Sequence, residues 1–250
     1  MKEVELVSWA TALDQLSLIV RDRAAVNNRL RVVEAGCGRQ WGLKVDPDSC
    51  FITGIGTDAA ALEARARNHG DLHRQIIGDV QNPNAFDPGS ADVVYSAYVL
   101  EHLPRAEEAA RGWVTWLADY GTLIALIPDA QSVYGWVSRV TPHRLHIWAY
   151  RVLLGRAEAG TPGHAPYPVH YSSMLTVGGL KRFARSENLR IDAIYAIGDM
   201  QRNVTPRDKV QNRLFAAVKQ VLSTVSGGRL RWRHDNLAVV MTKRPPHAEP

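Results

Sequence analysis

The chain alternates between short apolar runs and longer stretches in which apolar and polar positions recur at helical spacing. The helical spacing predicts helices over residues 4–27, 59–68, 107–117, 177–186 and 206–225. The apolar runs predict strands over residues 30–34, 51–55, 75–77, 91–95, 121–127, 190–197 and 237–242. Strands that alternate with helices are typical of a parallel sheet with right-handed crossovers.

The predicted fold is therefore α/β: a Rossmann-like, doubly wound and mostly parallel seven-stranded sheet with helices on both faces. After the fifth strand the alternation lapses, and residues 129–175 are irregular and rich in aromatic and histidine side chains. We expect this segment to be a cap insertion in a single domain. The remaining parts would be a helical lid (1–29), a core (30–128), the end of the sheet (176–244) and a disordered tail (245–250).

Composition agrees with one domain of this kind. The chain has 250 residues, of which 46% are apolar and 22% charged. Cys37 and Cys50 are too few for a disulfide framework and lack the spacing of a zinc site. The N-terminus has no signal-like segment, and no apolar run approaches the length of a membrane-spanning helix. We therefore expect a cytoplasmic protein without a membrane span.

Positive charge is concentrated near the C-terminus. Residues 201–244 hold ten Lys and Arg side chains, whereas Asp208 and Asp235 are the acids of this segment. Such a region can meet nucleic acid, anionic lipid or a phosphorylated substrate. Aromatic side chains for base stacking are limited there to Phe215 and Trp232, which makes nucleic acid the less favoured partner. A solvated helix face explains the same charges without any partner.

Glycine and carboxylate residues follow the first predicted strands. Glu34 precedes the turn of residues 36–38, Asp58 and Asp79 follow the second and third strands, and Ser96 follows the fourth. The carboxyl ends of parallel strands meet at one edge of a sheet, so we expect these residues to lie close together. A carboxylate next to glycines, which let the backbone approach a ligand, suits a nucleoside cofactor.

This series of motifs resembles the class I S-adenosylmethionine-dependent methyltransferases over residues 30–128, with looser similarity up to the last strand. The resemblance implies S-adenosylmethionine as cofactor and S-adenosylhomocysteine as its product. It also implies that Asp79 bonds the adenine amino group, while Glu101 and His102 border the transferable methyl group. The cofactor-binding residues implied are Glu34, Gly36, Cys37, Gly38, Asp58, Asp79, Val80 and Ser96.

Two departures from the family pattern concern cofactor binding. The ribose-binding acid of the family corresponds to Gly56, and Asp58 either replaces it or only caps the next helix. Gln40 stands where many relatives have glycine, and the sequence Asp-Pro-Asp at residues 46–48 truncates the helix that follows the turn. A catalytically silent member of the family therefore stays among the hypotheses.

A reductase on the same kind of fold fits the sequence less well. The glycines at 36, 38 and 42 miss the spacing of the dinucleotide fingerprint by one residue. No tyrosine is followed four positions later by lysine, the pair that short-chain dehydrogenases use. Glu34 ahead of the glycines also favours the methyltransferase.

Methyl transfer requires alignment of the reactants and, for a hydroxyl acceptor, a general base. Neutral imidazole suits that task, and the candidate bases are His102, His143, His146 and His170. Aromatic side chains of the cap can line an acceptor pocket, and the candidates are Tyr134, Trp136, Tyr167 and Tyr171. We predict no metal site, because no carboxylate pair joins His143 and His146 at a suitable spacing.

Three functions follow from these observations. The first is O-methylation of a small molecule, glycan or lipid intermediate, with a histidine as general base. The second is RNA methylation that uses the basic C-terminal region as a phosphate track. The third is a non-catalytic binding protein on the same fold, which the residues at positions 40 and 56 suggest.

Overall fold

The structure is a computed structural model that describes residues 3–27, 29–152, 155, 157–161, 167–199 and 206–245. Within these residues one sheet contains eight strands. The strands are β1 (Val4–Ser8), β2 (Leu30–Ala35), β3 (Cys50–Gly56), β4 (Arg74–Ile77), β5 (Ala91–Ala97), β6 (Leu117–Pro128), β7 (Leu189–Asp199) and β8 (Asn236–Lys243). The helices are α1 (Trp9–Val26), α2 (Ala59–His69), α3 (Ala106–Trp116), α4 (Val133–Val140), α5 (His143–Val152), α6 (Val177–Ser186) and α7 (Pro206–Val225).

The strand order is β1-β7-β8-β6-β5-β2-β3-β4, and β8 runs antiparallel to both of its neighbours while the other pairs are parallel. This arrangement confirms the α/β class and the mostly parallel sheet. The order reverses direction between β2 and β5, which are adjacent. In open α/β sheets, ligands bind beyond the carboxyl ends of the strands at such a switch point.

The sheet has eight strands where seven were predicted, and the helix predicted over residues 4–27 is wrong for residues 4–8. Val4–Ser8 forms the edge strand β1 and pairs in parallel with β7, with Val4 opposite Ile194. Ser8 then begins α1, because its Oγ accepts a hydrogen bond from the backbone N–H of Thr11 at 3.1 Å. The apolar periodicity of this segment therefore spans a strand and a helix.

Helices cover both faces of the sheet, as expected, and each face has its own apolar core. One face packs against α3 and α6 and includes the fully buried Trp113 and Trp116. The other face packs against α1, through Leu16 and Val20, and against the loop that follows β2. The indole N–H groups of Trp113 and Trp116 donate to the backbone oxygens of Val80 and Pro83, at 2.9 and 2.7 Å. These bonds fix the segment after β4, where Asp79 lies.

The segment between β2 and β3 contains no α-helix, in agreement with the predicted truncation. Only a 3₁₀ turn, Pro47–Ser49, precedes β3, and the side chain of Asp46 caps it by accepting from the N–H of Asp48 at 3.1 Å. The turn of residues 36–38 is therefore held by contacts with β3 and α2.

The cap, predicted over residues 129–175, contains the helices α4 and α5 after a tight connection to the sheet. Asp129 at its start is fully buried and contacts Nε2 of His234 at 2.8 Å. The N–H of Asp129 also donates to the oxygen of Asp235 at 2.8 Å. The base of the cap is therefore tied to the residues that precede β8.

No helix among the described residues has the length and hydropathy required to cross a bilayer. Both cysteines are buried and unbridged. The disordered tail predicted for residues 245–250 lies, from residue 246 onward, outside the described residues.

Candidate active site

The glycine turn after β2 lies against the ends of β3 and β5. The N–H groups of Gly36 and Cys37 both donate to the oxygen of Ile55 at 2.9 Å. Gly36 has a φ of +84°, and a Cβ there would stand 2.2 Å from Cγ2 of Val99. A side chain at this position is thus excluded by conformation and by space. At Gly38 a Cβ would meet nothing within 4 Å, which leaves open space beside the turn.

The side chain of Glu34 is buried and contacts α2. It pairs with Nη1 of Arg65, whose side chain is fully buried and also contacts Oδ2 of Asp71 at 2.8 Å and Sγ of Cys37 at 3.1 Å. Burial raises the pKa of Glu34, while the charge of Arg65 opposes this effect. Burial also raises the pKa of the Cys37 thiol to about 12. These four residues form a buried ionic cluster that fixes the turn from behind.

Sequence reasoning missed the part of this cluster that Arg65 and Asp71 contribute. The available signal was an arginine on the apolar side of the predicted helix 59–68, three positions after Leu62. A buried guanidinium needs carboxylate partners, because removing its charge from water is costly. Glu34 at the end of the neighbouring strand and Asp71 after the helix provide them.

The end of β3 departs from the family pattern in the way that the sequence indicates. A Cβ at Gly56 would lie 3.1 Å from the oxygen of Cys37, so glycine here lets the turn approach β3 closely. The carboxylate of Asp58 accepts from the N–H of Ala61 at 3.0 Å and caps α2. Asp58 is exposed where the parallel strands β2, β3 and β4 end, and we call this edge of the sheet beside the turn the cleft. The cap is observed, while a contact with ribose stays a prediction.

Asp79 and Val80 lie after β4, beside that cleft. The carboxylate of Asp79 is exposed and accepts from the N–H of Gln81 at 2.9 Å, whereas Val80 is buried. Ser96 is buried and donates to the oxygen of Ala35 at 2.9 Å, which joins β5 to β2. The open space at Gly38 and the exposed carboxylate of Asp79 fit S-adenosylmethionine, although no acid stands at position 56.

A cavity of about 640 Å³ lies between the cap and the carboxyl ends of β5 and β6. The predicted residues on its wall are His102, His143, His146, Tyr134, Tyr167 and Tyr171. His170 and Trp136 are not among its lining residues. The wall also contains Tyr98, Glu101, Arg139 and Tyr150, which were not among the residues predicted to bind the acceptor or act as base.

Glu101 is the buried carboxylate of this cavity. Within the described part of the chain its Oε2 has no hydrogen-bond partner, and 4% of the residue is exposed. Burial raises its pKa to about 7. Its Oε1 lies 3.9 Å from Nε2 of His102.

The hydroxyl of Tyr98 is likewise buried without a partner among the described residues, and Tyr98 has a φ of +57°. A bulky residue in that left-handed conformation is strained, which is a feature of functional sites.

The four candidate histidines differ in what their ring nitrogens contact. Nδ1 of His102 lies 2.7 Å from the oxygen of Pro168, so Nδ1 carries the proton and Nε2 keeps its lone pair when the ring is neutral. The hydroxyl of Thr141 donates to the oxygen of Val137, so His146 must donate from Nε2 to Thr141 Oγ1. His143 lines the cavity, and His170 is exposed.

Comparison with known proteins agrees with this geometry. Residues 33–125 match the family model described as a methyltransferase domain. No curated protein has a significantly similar sequence.

Solved structures share the fold at low sequence identity. An S-adenosylmethionine-dependent methyltransferase from Listeria monocytogenes is 13% identical with a TM-score of 0.54, and the alignment covers 92% of this chain and 97% of that one. A methyltransferase in complex with the Trm112 activator of Haloferax volcanii is 14% identical with a TM-score of 0.56, with 92% and 90% covered. A geranyl diphosphate methyltransferase in complex with SAM is 11% identical with a TM-score of 0.53, with 92% and 84% covered.

The family model covers the glycine turn, Asp58, Asp79, Glu101 and His102. Residues 33–125 therefore match a methyltransferase domain, and the chain shares the fold of solved S-adenosylmethionine-dependent methyltransferases.

Proposed function

We propose that this enzyme methylates a hydroxyl group of a small molecule, saccharide or lipid intermediate that binds in the cap cavity. The proposal rests on Oε2 of Glu101, which is buried in the wall of the cavity without a hydrogen-bond partner among the described residues. A buried carboxylate oxygen in that state costs free energy until a donor meets it. A hydroxyl group of the acceptor is such a donor, and its bond to Oε2 would position a neighbouring hydroxyl of the acceptor for methylation.

His102 is the histidine best suited to accept the proton of that hydroxyl. Its Nδ1–H is held by Pro168, which leaves the lone pair of Nε2 free to act as base. Once protonated, Nε2 would lie 3.9 Å from a carboxylate oxygen of Glu101, and the opposite charge would stabilise the imidazolium. His143 is the alternative base, since Nε2 of His146 already donates to Thr141.

S-adenosylmethionine, when bound, supplies an electrophilic methyl group on a sulfonium centre. We propose that Asp79 accepts from the adenine amino group and that Val80 packs against the ring. The turn of residues 36–38 would approach the methionine part with its backbone, while Glu34 acts indirectly by holding the turn through Arg65. The segment of residues 98–102 joins the cofactor cleft to the acceptor cavity, because Val99 packs on Gly36 and Glu101 lines the cavity.

Calorimetric titration with S-adenosylmethionine and S-adenosylhomocysteine tests the cofactor site. We expect binding by the wild-type protein, a loss of at least tenfold in Asp79→Ala, and unchanged affinity in Asp119→Ala. Asp119 is an exposed carboxylate at the other end of the sheet and serves as the matched control. Absence of binding to either ligand would favour the non-catalytic scaffold instead.

Transfer of a labelled methyl group to hydroxylated small molecules, sugars and lipid extracts tests the chemistry. In His102→Ala we expect kcat to fall by about 10²–10⁴-fold, the usual contribution of a general base, with the affinity for S-adenosylhomocysteine unchanged. Full turnover in His102→Ala would rule out this base, and the same measurement on His143→Ala would then test the alternative.

A further inference from the structure

Two segments of the chain are basic and contain no acid. Residues 130–157 contain four arginines, and residues 209–234 contain six Lys and Arg side chains, while neither segment has an Asp or Glu. The first segment forms most of the cap, and the second forms most of α7 and the approach to β8. Segments of one charge sign create a positive surface potential that attracts anionic surfaces.

The fold brings these two segments together. The N–H of Arg231 donates to the oxygen of Gln131 at 2.8 Å, and the N–H of Val133 donates to the oxygen of Arg231 at 2.9 Å. Helices α4 and α7 are also in contact. The charges of the cap and of the C-terminal region therefore belong to one region of the molecule.

The outward side of α5 is apolar as well as basic. Its exposed side chains include Arg144, Leu145, Trp148, Arg151 and Val152, which lie within one arc of the helix at the spacing of 3.6 residues per turn. Leu145, Trp148 and Val152 are 48%, 52% and 61% exposed. A helix on the surface of a domain normally turns polar side chains outward, so this helix presents an apolar stripe that no described part of the chain covers.

The same combination continues on α4, whereas α7 adds exposed apolar side chains, since its Lys219 is paired with Asp235 at 2.8 Å. Val137 and Val140 of α4 are exposed beside Arg139. On α7, Val218, Val221 and Val225 are exposed at successive turns. We define the basic apolar face as the exposed side chains of residues 137–140, of residues 144–152 and of residues 218–225.

We propose that the basic apolar face binds the surface of an anionic lipid bilayer. Arginines attract anionic headgroups, whereas exposed Leu, Val and Trp side chains gain free energy by entering the boundary between headgroups and acyl chains. Trp is a residue that prefers this boundary. Aliphatic side chains have no corresponding partner on RNA, where affinity comes from phosphate contacts and from stacking on aromatic rings. This proposal is independent of the acceptor, since it concerns the outer side of the cap.

Co-flotation of the full chain with vesicles tests the proposal. One set of vesicles contains phosphatidylcholine alone, and the other contains equal parts of phosphatidylcholine and phosphatidylglycerol. We expect the protein to float with the anionic vesicles and to remain in solution with the neutral ones. Arg144→Gln combined with Arg151→Gln should lower partitioning into anionic vesicles by at least about tenfold.

The apolar contribution is tested by Leu145→Ser combined with Trp148→Ser, which should also lower partitioning by at least about tenfold. The matched control is Leu6→Ser combined with Val26→Ser, because these side chains are 53% and 83% exposed on β1 and at the end of α1. We expect this control to float like the wild type. Equal losses in the control and in the α5 variant would overturn the proposal.

Two further results would also overturn it. The first is salt-sensitive binding to single-stranded RNA without flotation on anionic vesicles, which would assign the charges to nucleic acid. The second is a wild-type dimer in solution that Leu145→Ser with Trp148→Ser converts to a monomer, since a second copy would then cover the face. Light scattering after size-exclusion chromatography distinguishes that case. Loss of cofactor binding would leave the flotation result unaffected, so the two proposals fail separately.

Discussion

At the scale of the residue, Glu101 and Arg65 are two buried charged groups with different surroundings. Arg65 is enclosed by the carboxylates of Glu34 and Asp71, so its charge is compensated inside the protein. Glu101 has an oxygen without a partner among the described residues, and burial raises its pKa to about 7. Arg65 therefore contributes to the architecture of the turn, whereas Glu101 is available to a ligand.

The raised pKa of Glu101 predicts a pH dependence of stability. The folded state favours the protonated carboxyl group, so this contribution is complete below the ordinary pKa of 4.5 and is lost as the pH rises through about 7. The free energy of unfolding of the wild type should therefore fall by up to about 3 kcal/mol relative to Glu101→Gln between pH 5 and 8. Urea denaturation of both proteins at each pH measures the difference. A constant difference would mean that Glu101 stays ionised at pH 5.

Replacement of Arg65 should destabilise the fold strongly. Arg65→Met leaves the carboxylates of Glu34 and Asp71 buried without their counter-charge, and we expect a loss of about 3–5 kcal/mol in the free energy of unfolding. The control is Arg31→Met, which removes a partly exposed pair with Asp92 and should cost about 1 kcal/mol or less. Similar losses in the two variants, measured by urea denaturation, would contradict a special role of the buried cluster.

At the scale of the element, the ends of strands and helices decide which side chains face the cleft. β3 ends at Gly56, and α2 begins after Asp58, whose carboxylate is used as the helix cap. The same carboxylate is exposed at the edge of the cleft beside the glycine turn. A substitution of Asp58 therefore separates helix capping from ribose binding only if it preserves one of these roles and removes the other.

Asp58→Asn and Asp58→Ala separate these roles. Asparagine caps helices about as well as aspartate, so Asp58→Asn should change the free energy of unfolding by less than about 0.5 kcal/mol, while Asp58→Ala should cost about 1 kcal/mol. If Asp58 also binds ribose, both variants should bind S-adenosylhomocysteine more weakly in calorimetry. Unchanged affinity in both would leave Asp58 as a cap alone.

At the scale of the whole molecule, the shape of the cavity beneath the cap depends on how the cap is fixed to the sheet. Asp129 is fully buried, contacts His234 at 2.8 Å and lies 3.8 Å from Arg231. Cap residues form one side of the cavity, while Asp235 and Asn236 belong to its other side. The contact between Asp129 and His234 thus holds the two sides together.

Loss of that contact should loosen the cap while the core stays folded. In Asp129→Ala we expect amides of α4 and α5 to exchange hydrogen faster by at least about tenfold, because His234 and Arg231 lose a buried partner. Amides of β2 and β5 should keep their protection. Hydrogen exchange followed by mass spectrometry measures both regions, with Asp14→Ala, which removes an exposed pair with Lys44, as control. Equal acceleration throughout the chain would indicate global destabilisation instead.

The sequence by itself determined the features that depend on neighbouring residues. Apolar spacing identified most strands and helices, since turn conformation and strand order follow local rules, while a cofactor site at Gly36, Gly38 and Asp79 stays a prediction. It failed at β1, because a five-residue apolar pattern next to a helix does not reveal that an edge strand finds its partner in β7. Three of the four candidate histidines line the cavity and His170 does not, and the choice of base stays a prediction, because their spacing does not tell which ring nitrogen is free.

Only the tertiary structure decided the contacts between distant residues. Glu34 meets Arg65 across 31 positions, and Asp129 meets His234 across 105 positions. Burial, too, is a property of the packed chain: Glu101 becomes a buried carboxylate because the cap closes over the end of β5. Desolvation and pairing depend on what surrounds a charge in space, and the order of residues along the chain does not specify those surroundings.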